Sequence, residues 1–229
     1  MMLVIVLLGL LIALAMPTIA GMRERARDAT SLANLRSHAQ ILSVYLGDWD
    51  DTYPFPTDPT ADLTILRGGG ITIAVPFFHV SGVWPVPLAD GYYDSVFPHP
   101  SILRPGEESL ITSYHYSPTF ITDPQFWNLE TRTGPAQWGP VGGHQPVFPS
   151  AKAISVEFST SRGVPVFAPS QQETPAFTGA FCDGSASAHP RGSSTPPVST
   201  GEGDYDASLH RVGIVGMHTV NGVRGRDIR

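Results

Sequence analysis

Eight histidines and one cysteine are the residues of this 229-residue chain best suited to metal binding or nucleophilic catalysis. No two histidines have the close spacing that lets a pair on one helix bind zinc. Cys182 stands alone, so it can form neither an intramolecular disulfide nor a cysteine-based zinc site. A catalytic thiol also needs a base within reach, and a lone cysteine in an apolar run is typically buried. We therefore predict no catalytic residue, no metal site and no cofactor, and we expect the chain not to be an enzyme.

Other patterns that could carry chemistry are incomplete. Gly68–Gly70 lacks the Lys-Ser/Thr that follows the glycines of a phosphate-binding loop, and the sequence has no Gly-x-Ser-x-Gly nucleophile motif. Asp48, Asp50 and Asp51 offer closely spaced oxygen ligands for calcium, but the EF-hand pattern is missing and acidic residues after a helix are usually solvated. An acid–base pair formed by residues distant in sequence stays open.

The overall composition excludes one class of partner and predicts a loop-rich fold. The net charge is −6, and basic residues cluster in only one short stretch, so we predict no nucleic-acid partner. The 23 glycines and 22 prolines predict many turns and long loops. The length suits one medium domain, or a small domain with an extended element.

The first 22 residues, Met1–Met22, contain no charged residue. As a helix they would extend about 33 Å, close to the hydrocarbon core of a bilayer, which predicts a membrane-spanning segment. A cleaved secretory signal, a plain signal anchor and a pilin-type anchor are the three interpretations. A cleaved signal normally begins with a basic region, which is absent here. Arg23, Arg25 and Arg27 follow the run, and the positive-inside rule would then leave the bulk of a simply anchored chain in the cytoplasm.

The same helix is predicted to continue beyond the apolar run to about Trp49. Leu35, Leu42 and Trp49 recur at intervals of seven and form one apolar stripe with their neighbours. A single helix of about 45 residues would be roughly 70 Å long. A sheet formed by the rest of the chain would cover the stripe, whereas a lone coiled coil is disfavoured because the repeat is short and lacks regular flanking charges. Gly47 and Pro54 are stop signals for the helix.

Short runs rich in β-branched and aromatic residues, broken by Gly and Pro, predict strands in the remainder of the chain. They are Ile71–Val75, Leu110–Tyr116, Ala153–Phe158, Val164–Ala168 and Ala176–Cys182. No crossover helices are evident between them, so an antiparallel sheet is predicted. The clearest hairpin signal is the tight-turn dipeptide Asp183-Gly184. In the strand before it, alternation places Phe177 and Phe181 on one face.

Gly9 and Pro17, set in the apolar run and followed by Arg-Glu-Arg-Ala-Arg, closely resemble the N-terminal half of type IV prepilins and type II secretion pseudopilins. In that family a short basic leader ending in Gly precedes the motif Phe-Thr-Leu-(Ile/Val)-Glu. On alignment the family's glutamate falls just before Met1, so we expect the chain to begin inside this motif and a leader to precede it. The resemblance implies that the helix between Gly9 and Pro17 partly unwinds when subunits pack; an ordinary transmembrane proline is the alternative.

A second resemblance lies near the C-terminus. Phe181-x-Asp183-Gly184 is similar to the signature of a large pseudopilin-like family, in which nine residues separate a His from Asp-Gly. Glu173 occupies the position of that His here, so the match covers only the Phe-x-Asp-Gly half.

Together these features predict an α+β fold: a long N-terminal helix, apolar over residues 1–22 and amphipathic over 23–50, packed on an antiparallel β-sheet domain over 51–229 with long Pro/Gly-rich loops. The resemblance implies a structural filament subunit that crosses the bacterial inner membrane once, with its head in the periplasm or in an extracellular filament. The implied partners are copies of itself, other pilin-like subunits, the inner-membrane assembly machinery, prepilin peptidase and the lipid bilayer. The residues assigned to assembly are Gly9, Pro17, Leu35, Leu42 and Trp49, and those of the hairpin signature are Phe181, Asp183 and Gly184.

The alternative is a membrane-anchored periplasmic binding or hydrolytic domain that uses the helix only as an anchor. Aromatic residues in the loops would then line a carbohydrate-binding face. These residues are Trp84, Tyr92, Tyr93, Trp127 and Trp138, and they would equally serve as core.

Overall fold

The computed structural model describes residues 2–55, 63–67, 71–75, 77–93, 99–106, 112–157, 176–198 and 215–229. It contains one long N-terminal helix, α1 (Met2–Asp48), and a four-stranded antiparallel sheet, so the α+β fold class is confirmed. Two helices of about one turn follow, α2 (Val80–Val83) and α3 (Ala89–Tyr92). Short 3₁₀ helices lie at Phe77–His79, Pro100–Ile102, Pro118–Phe120, Pro124–Trp127, Pro135–Gln137, Arg191–Ser193 and Gly222–Arg224.

The described strands form two sheets. In the smaller sheet, β1 (Leu63–Arg67) and β2 (Ile71–Val75) make an antiparallel hairpin. The larger sheet has the order β3-β4-β5-β6, with every neighbouring pair antiparallel. Its strands are β3 (Tyr114–Tyr116), β4 (Ala153–Glu157), β5 (Ala176–Phe181) and β6 (Ala186–Pro190).

The strand predictions hold for most of the segments that the structure describes. β2 has the predicted bounds, and β5 ends one residue earlier than expected. β3 covers only the last three residues of the predicted Leu110–Tyr116, and Val164–Ala168 lies outside the described residues. β1 was not predicted, because its five residues lie between a Pro-rich stretch and a run of three glycines that together favour a loop.

α1 ends at Asp48, close to the predicted stop. The two residues Asp50 and Asp51 have φ angles of 48° and 55°, in the left-handed region that an α-helix cannot include. The N–H of Asp51 donates to the carbonyl of Leu46 at 2.9 Å, which satisfies one of the last carbonyls of the helix.

The core lies between α1 and the four-stranded sheet. α1 contributes Leu35, Ala39 and Leu42, and aromatic side chains fill much of the remaining space. Alternate residues of β5 enter different clusters: Ala180 joins this core, whereas Phe177 and Phe181 join a smaller one with Met217. The predicted shared face of Phe177 and Phe181 is therefore confirmed.

The predictions of a membrane-spanning segment over residues 1–22 and of a single-pass inner-membrane location are wrong. Within the part of the chain that the structure describes, no helix combines the length and the apolar character needed to cross a membrane.

Candidate assembly helix

α1 is packed against the rest of the chain over only part of its length. Glu24 is the first residue of α1 with a described contact to another element, an ion pair with Arg104. N-terminal to Glu24 the described side chains are exposed, with Val4, Leu10 and Met16 at 58%, 59% and 65%. We call residues 2–22, whose described side chains are all exposed, the free segment.

The exposed apolar side chains of the free segment do not lie on one face. Val4, Leu10 and Met16 are spaced six residues apart, so at about 3.6 residues per turn they point in three directions roughly 120° apart. A helix that is apolar on all sides is normally buried on all sides, and exposed apolar surface of this extent marks an interaction site. A single neighbouring helix could cover only one of these directions.

Gly9 and Pro17 both lie in the free segment, and α1 continues across them as regular helix. Both are exposed, and a Cβ added at Gly9 would meet nothing within 4 Å. Contacts within one copy of the chain therefore do not require glycine at position 9. Pro17 has no N–H, which removes one intrahelical hydrogen bond. Partial unwinding of this stretch on packing stays a prediction.

Opposite the core, α1 presents a long face without charge. Its residues recur in steps of three and four, which keeps them within about 100° of one another around the axis. All are exposed, and the face extends about 42 Å along the helix. We call it the outer face; it consists of Ile19, Met22, Ala26, Thr30, Ala33, Ser37, Gln40, Val44 and Gly47. A solvent-facing helix surface is normally charged, so this composition is typical of a packing surface.

Two hydroxyl groups on the outer face are already satisfied within the helix. Thr30 donates to the carbonyl of Ala26 at 2.9 Å, and Ser37 donates to the carbonyl of Ala33 at 3.1 Å. A neighbouring helix could therefore cover these side chains without leaving a buried hydroxyl unpaired. The small residues would also let two helix backbones approach closely.

Comparisons with known proteins assign no family to this arrangement. No family model matches the chain, and neither a curated protein nor a solved structure is significantly similar to it. The resemblance to pilins thus depends on the residues that carry it, chiefly Gly9, Pro17 and the Asp183-Gly184 turn.

An ion cluster marks the point at which α1 leaves the folded domain. The side chain of Arg104 is only 1% exposed and pairs with Glu24 at 2.6 Å, with Asp28 at 2.8 Å and with Glu157. Burial opposes the charged form, but the carboxylates of Glu157 and then Asp28 outweigh it, so the pKa of Arg104 lies above its ordinary value. Glu157 also accepts a hydrogen bond from Ser31 at 2.7 Å. These contacts tie two turns of α1 to the end of β4.

His38 forms a second polar contact between α1 and the loops. Its Nε2 donates to the carbonyl of Ser101 at 2.9 Å, and its Nδ1 accepts from the hydroxyl of Tyr93 at 2.7 Å. Burial lowers the pKa of His38 to about 4, so the ring is neutral at neutral pH. Since both ring nitrogens are bound and the side chain is buried, His38 positions the helix.

The predicted apolar stripe of α1 is buried except at its C-terminal end. Leu35 and Leu42 are fully buried, whereas Trp49 is 58% exposed and lies just after the helix. The ring of Trp49 stacks on Tyr45 with centroids 5.5 Å apart, and its Nε1 donates to the hydroxyl of Tyr92 at 3.2 Å. Trp49 therefore caps the edge of the core instead of filling it.

The hairpin signature builds a tight turn between β5 and β6. Phe181 is buried, and its carbonyl accepts from the N–H of Gly184 at 2.9 Å. Oδ1 of Asp183 accepts from both the N–H and the hydroxyl of Ser185, at 2.9 and 2.6 Å. Gly184 has a φ of 84°, in the left-handed region where a side chain is strained. All three signature residues thus have local structural roles.

In the described part of the chain, the side chains able to do chemistry form neither a metal site nor an activated cysteine. Among the described residues, no group of three or more His, Cys, Asp or Glu is placed to hold a metal ion. Burial raises the pKa of Cys182 to about 12, so its sulfur is a neutral thiol at physiological pH and a poor nucleophile.

The loop aromatics mostly serve the core. Trp84, Tyr93 and Trp127 are buried, which removes them from any carbohydrate-binding face. Trp138 is partly exposed and borders a shallow depression of about 190 Å³ that Asp123 also lines. This burial favours the core interpretation over the ligand-binding one.

Two buried cations, Arg104 and Lys152, were missed in the sequence. Lys152 is fully buried and pairs with Asp227 at 3.0 Å, while its Nζ also donates to the hydroxyl of Thr219 at 2.7 Å. The available signal was slight: Lys152 is the only lysine of the chain and stands directly before a predicted strand. Its partner lies 75 residues away in sequence, which no local pattern reveals.

Proposed function

We propose that this chain is a structural subunit that assembles with copies of itself, and with other pilin-like subunits, into a filament of the type IV pilus or type II secretion pseudopilus kind. The observation that carries the proposal is the free segment, whose described apolar side chains Val4, Leu10 and Met16 are exposed in three directions about 120° apart. Burying such surface contributes about 25 cal/mol per Å² before the entropy cost of association. Because neighbours are needed on several sides, a multi-helix filament core fits better than a dimer.

The outer face and the pilin resemblance support the same proposal. The outer face offers the free segment of another copy a surface without charge and with its hydroxyls satisfied. Gly9 and Pro17, which carry the resemblance to prepilins, stand in the free segment.

The proposal is tested by placing charge on the free segment of the full chain. Leu10→Asp combined with Met16→Asp puts two carboxylates where neighbouring helices would pack, and we expect it to abolish high-mass assemblies in sedimentation and electron microscopy. The matched control is Leu129→Asp, since Leu129 is equally exposed, at 66%, but lies in the head. The control should assemble like the unmodified chain. Thermal unfolding of the head should be unchanged in both.

Two results would overturn the proposal. One is an unmodified chain that stays monomeric at every concentration tested. The other is assembly of the doubly substituted chain at the same critical concentration as the unmodified chain.

A further inference from the structure

Two sets of exposed charge on α1 are complementary but cannot meet within one chain. Arg23 is exposed, directly follows the free segment and has no ion-pair partner among the described residues. Asp48 is exposed at the end of the outer face, where one carboxylate oxygen accepts from Tyr92 at 3.0 Å. A continuous helix holds the two residues about 37 Å apart. Their attraction can therefore be satisfied only between copies.

The lengths of the two apolar surfaces agree with this pairing. The free segment, residues 2–22, extends about 31 Å, and the outer face from Ala26 to Gly47 extends about 33 Å. When the free segment of one copy covers this part of the outer face of another in parallel orientation, Met22 lies beside Gly47. Arg23 then lies beside Asp48. The shift of 25 residues is close to seven helical turns, so the facing sides stay in phase.

The opposite orientation is electrostatically unfavourable. An antiparallel free segment on the same surface would bring Arg23 of one copy close to Arg27 of the other, since both lie on the same side of the outer face. Both carry positive charge on exposed positions of α1, and like charges at close range repel. The charge pattern thus selects the parallel arrangement.

We propose that copies of this chain pack with parallel helices in a register of 25 residues, with Arg23 of one copy paired to Asp48 of its neighbour. The inference rests on the proposed function and adds to it a defined register and a defined ion pair. In this register Ile19 of one copy faces Val44 of the next, which brings together two exposed residues of the outer face.

Charge reversal tests the ion pair. Arg23→Glu and Asp48→Arg should each raise the critical concentration for assembly about fivefold, because repulsion replaces an exposed pair. A chain carrying both changes should return to within about twofold of the unmodified chain. Arg25→Glu is the matched control, since Arg25 lies about 160° around the helix from Arg23 and should not rescue Asp48→Arg. If the critical concentration of the double variant stays as high as that of the single variants, the proposed ion pair between Arg23 and Asp48 is wrong.

Cross-linking tests the register independently of charge. Copies carrying Ile19→Cys, mixed with copies carrying Val44→Cys, should form disulfide-linked dimers under oxidising conditions only after assembly. Either substituted copy alone should give much less product. If assemblies form and depend on the free segment but no 19–44 cross-link appears, the register is wrong while the filament function stands. If Leu10→Asp combined with Met16→Asp leaves assembly unchanged, both the register and the filament function are wrong.

Discussion

The guanidinium of Arg104 and the carboxylate of Glu157 form an ion pair buried between α1 and the end of β4. The side chains are 1% and 7% exposed, so water screens their attraction only weakly. Glu24 and Asp28 bind the same guanidinium from the solvent side. The cluster sits where the covered part of α1 gives way to the free segment.

Removing Arg104 should destabilise the domain strongly. Arg104→Met leaves Glu157 buried without a counter-charge, and we expect a loss of about 3–5 kcal/mol in the free energy of unfolding, measured by urea titration. Arg27→Met, which removes an exposed pair with Glu24, should cost less than about 1 kcal/mol. Adding Glu157→Gln to Arg104→Met should recover part of the loss. Equal effects of the two single changes would contradict the buried-pair account.

Lys152 should stabilise the attachment of the C-terminal segment. Asp227 accepts from the N–H of Ala153 at 2.8 Å as well as from Lys152, so Lys152→Met leaves a buried carboxylate only partly compensated. We expect a loss of about 3–5 kcal/mol in thermal or urea unfolding. Combining it with Asp227→Asn, which removes the charge but keeps an acceptor for Ala153, should restore much of the stability. A double variant as unstable as the sum of the single variants would argue against coupling of the two residues.

His38 should make the domain sensitive to acid. Its pKa falls from about 6.5 in the unfolded chain to about 4 in the folded one. Its contribution is therefore complete above about pH 6.5 and is lost as the pH falls through about 4, where protonation favours the unfolded state. The free energy of unfolding should drop by about 3 kcal/mol over this window.

The control for this pH dependence is His38→Gln. It should be less stable than the unmodified chain at pH 7 because it disturbs the contacts with Tyr93 and Ser101. In this variant the free energy of unfolding should also no longer show the fall between about pH 6.5 and 4 that we assign to His38. A variant that keeps the full acid sensitivity would show that other groups cause it.

Gly184→Ala tests the left-handed turn. Its φ of 84° strains any side chain, while the space around it is open, so backbone strain alone should cost about 1–2 kcal/mol in thermal unfolding. Gly192→Ala is the control, because Gly192 is equally open and lacks a left-handed φ. A Gly184→Ala variant as stable as the control would refute the strain argument.

Periodicity predicted the elements well because it reports local geometry. The seven-residue repeat that includes Leu35 and Leu42 placed a helix correctly, and alternation around Phe177 and Phe181 placed β5. Trp49 continued the repeat but is exposed, because α1 ends at Asp48 before the next turn can face the core. A sequence repeat does not show how far along the helix the rest of the domain packs against it.

By itself, the sequence determined the path of α1, the turn at Asp183-Gly184 and the apolar character of the free segment, since each depends on neighbouring residues. The tertiary structure alone decided which part of α1 is covered and which charges are buried. Arg104 meets Glu24 across 80 residues of chain, and Lys152 meets Asp227 across 75. Such pairs form only when the sheet packs on the helix, because burial, and not sequence proximity, makes an opposite charge necessary.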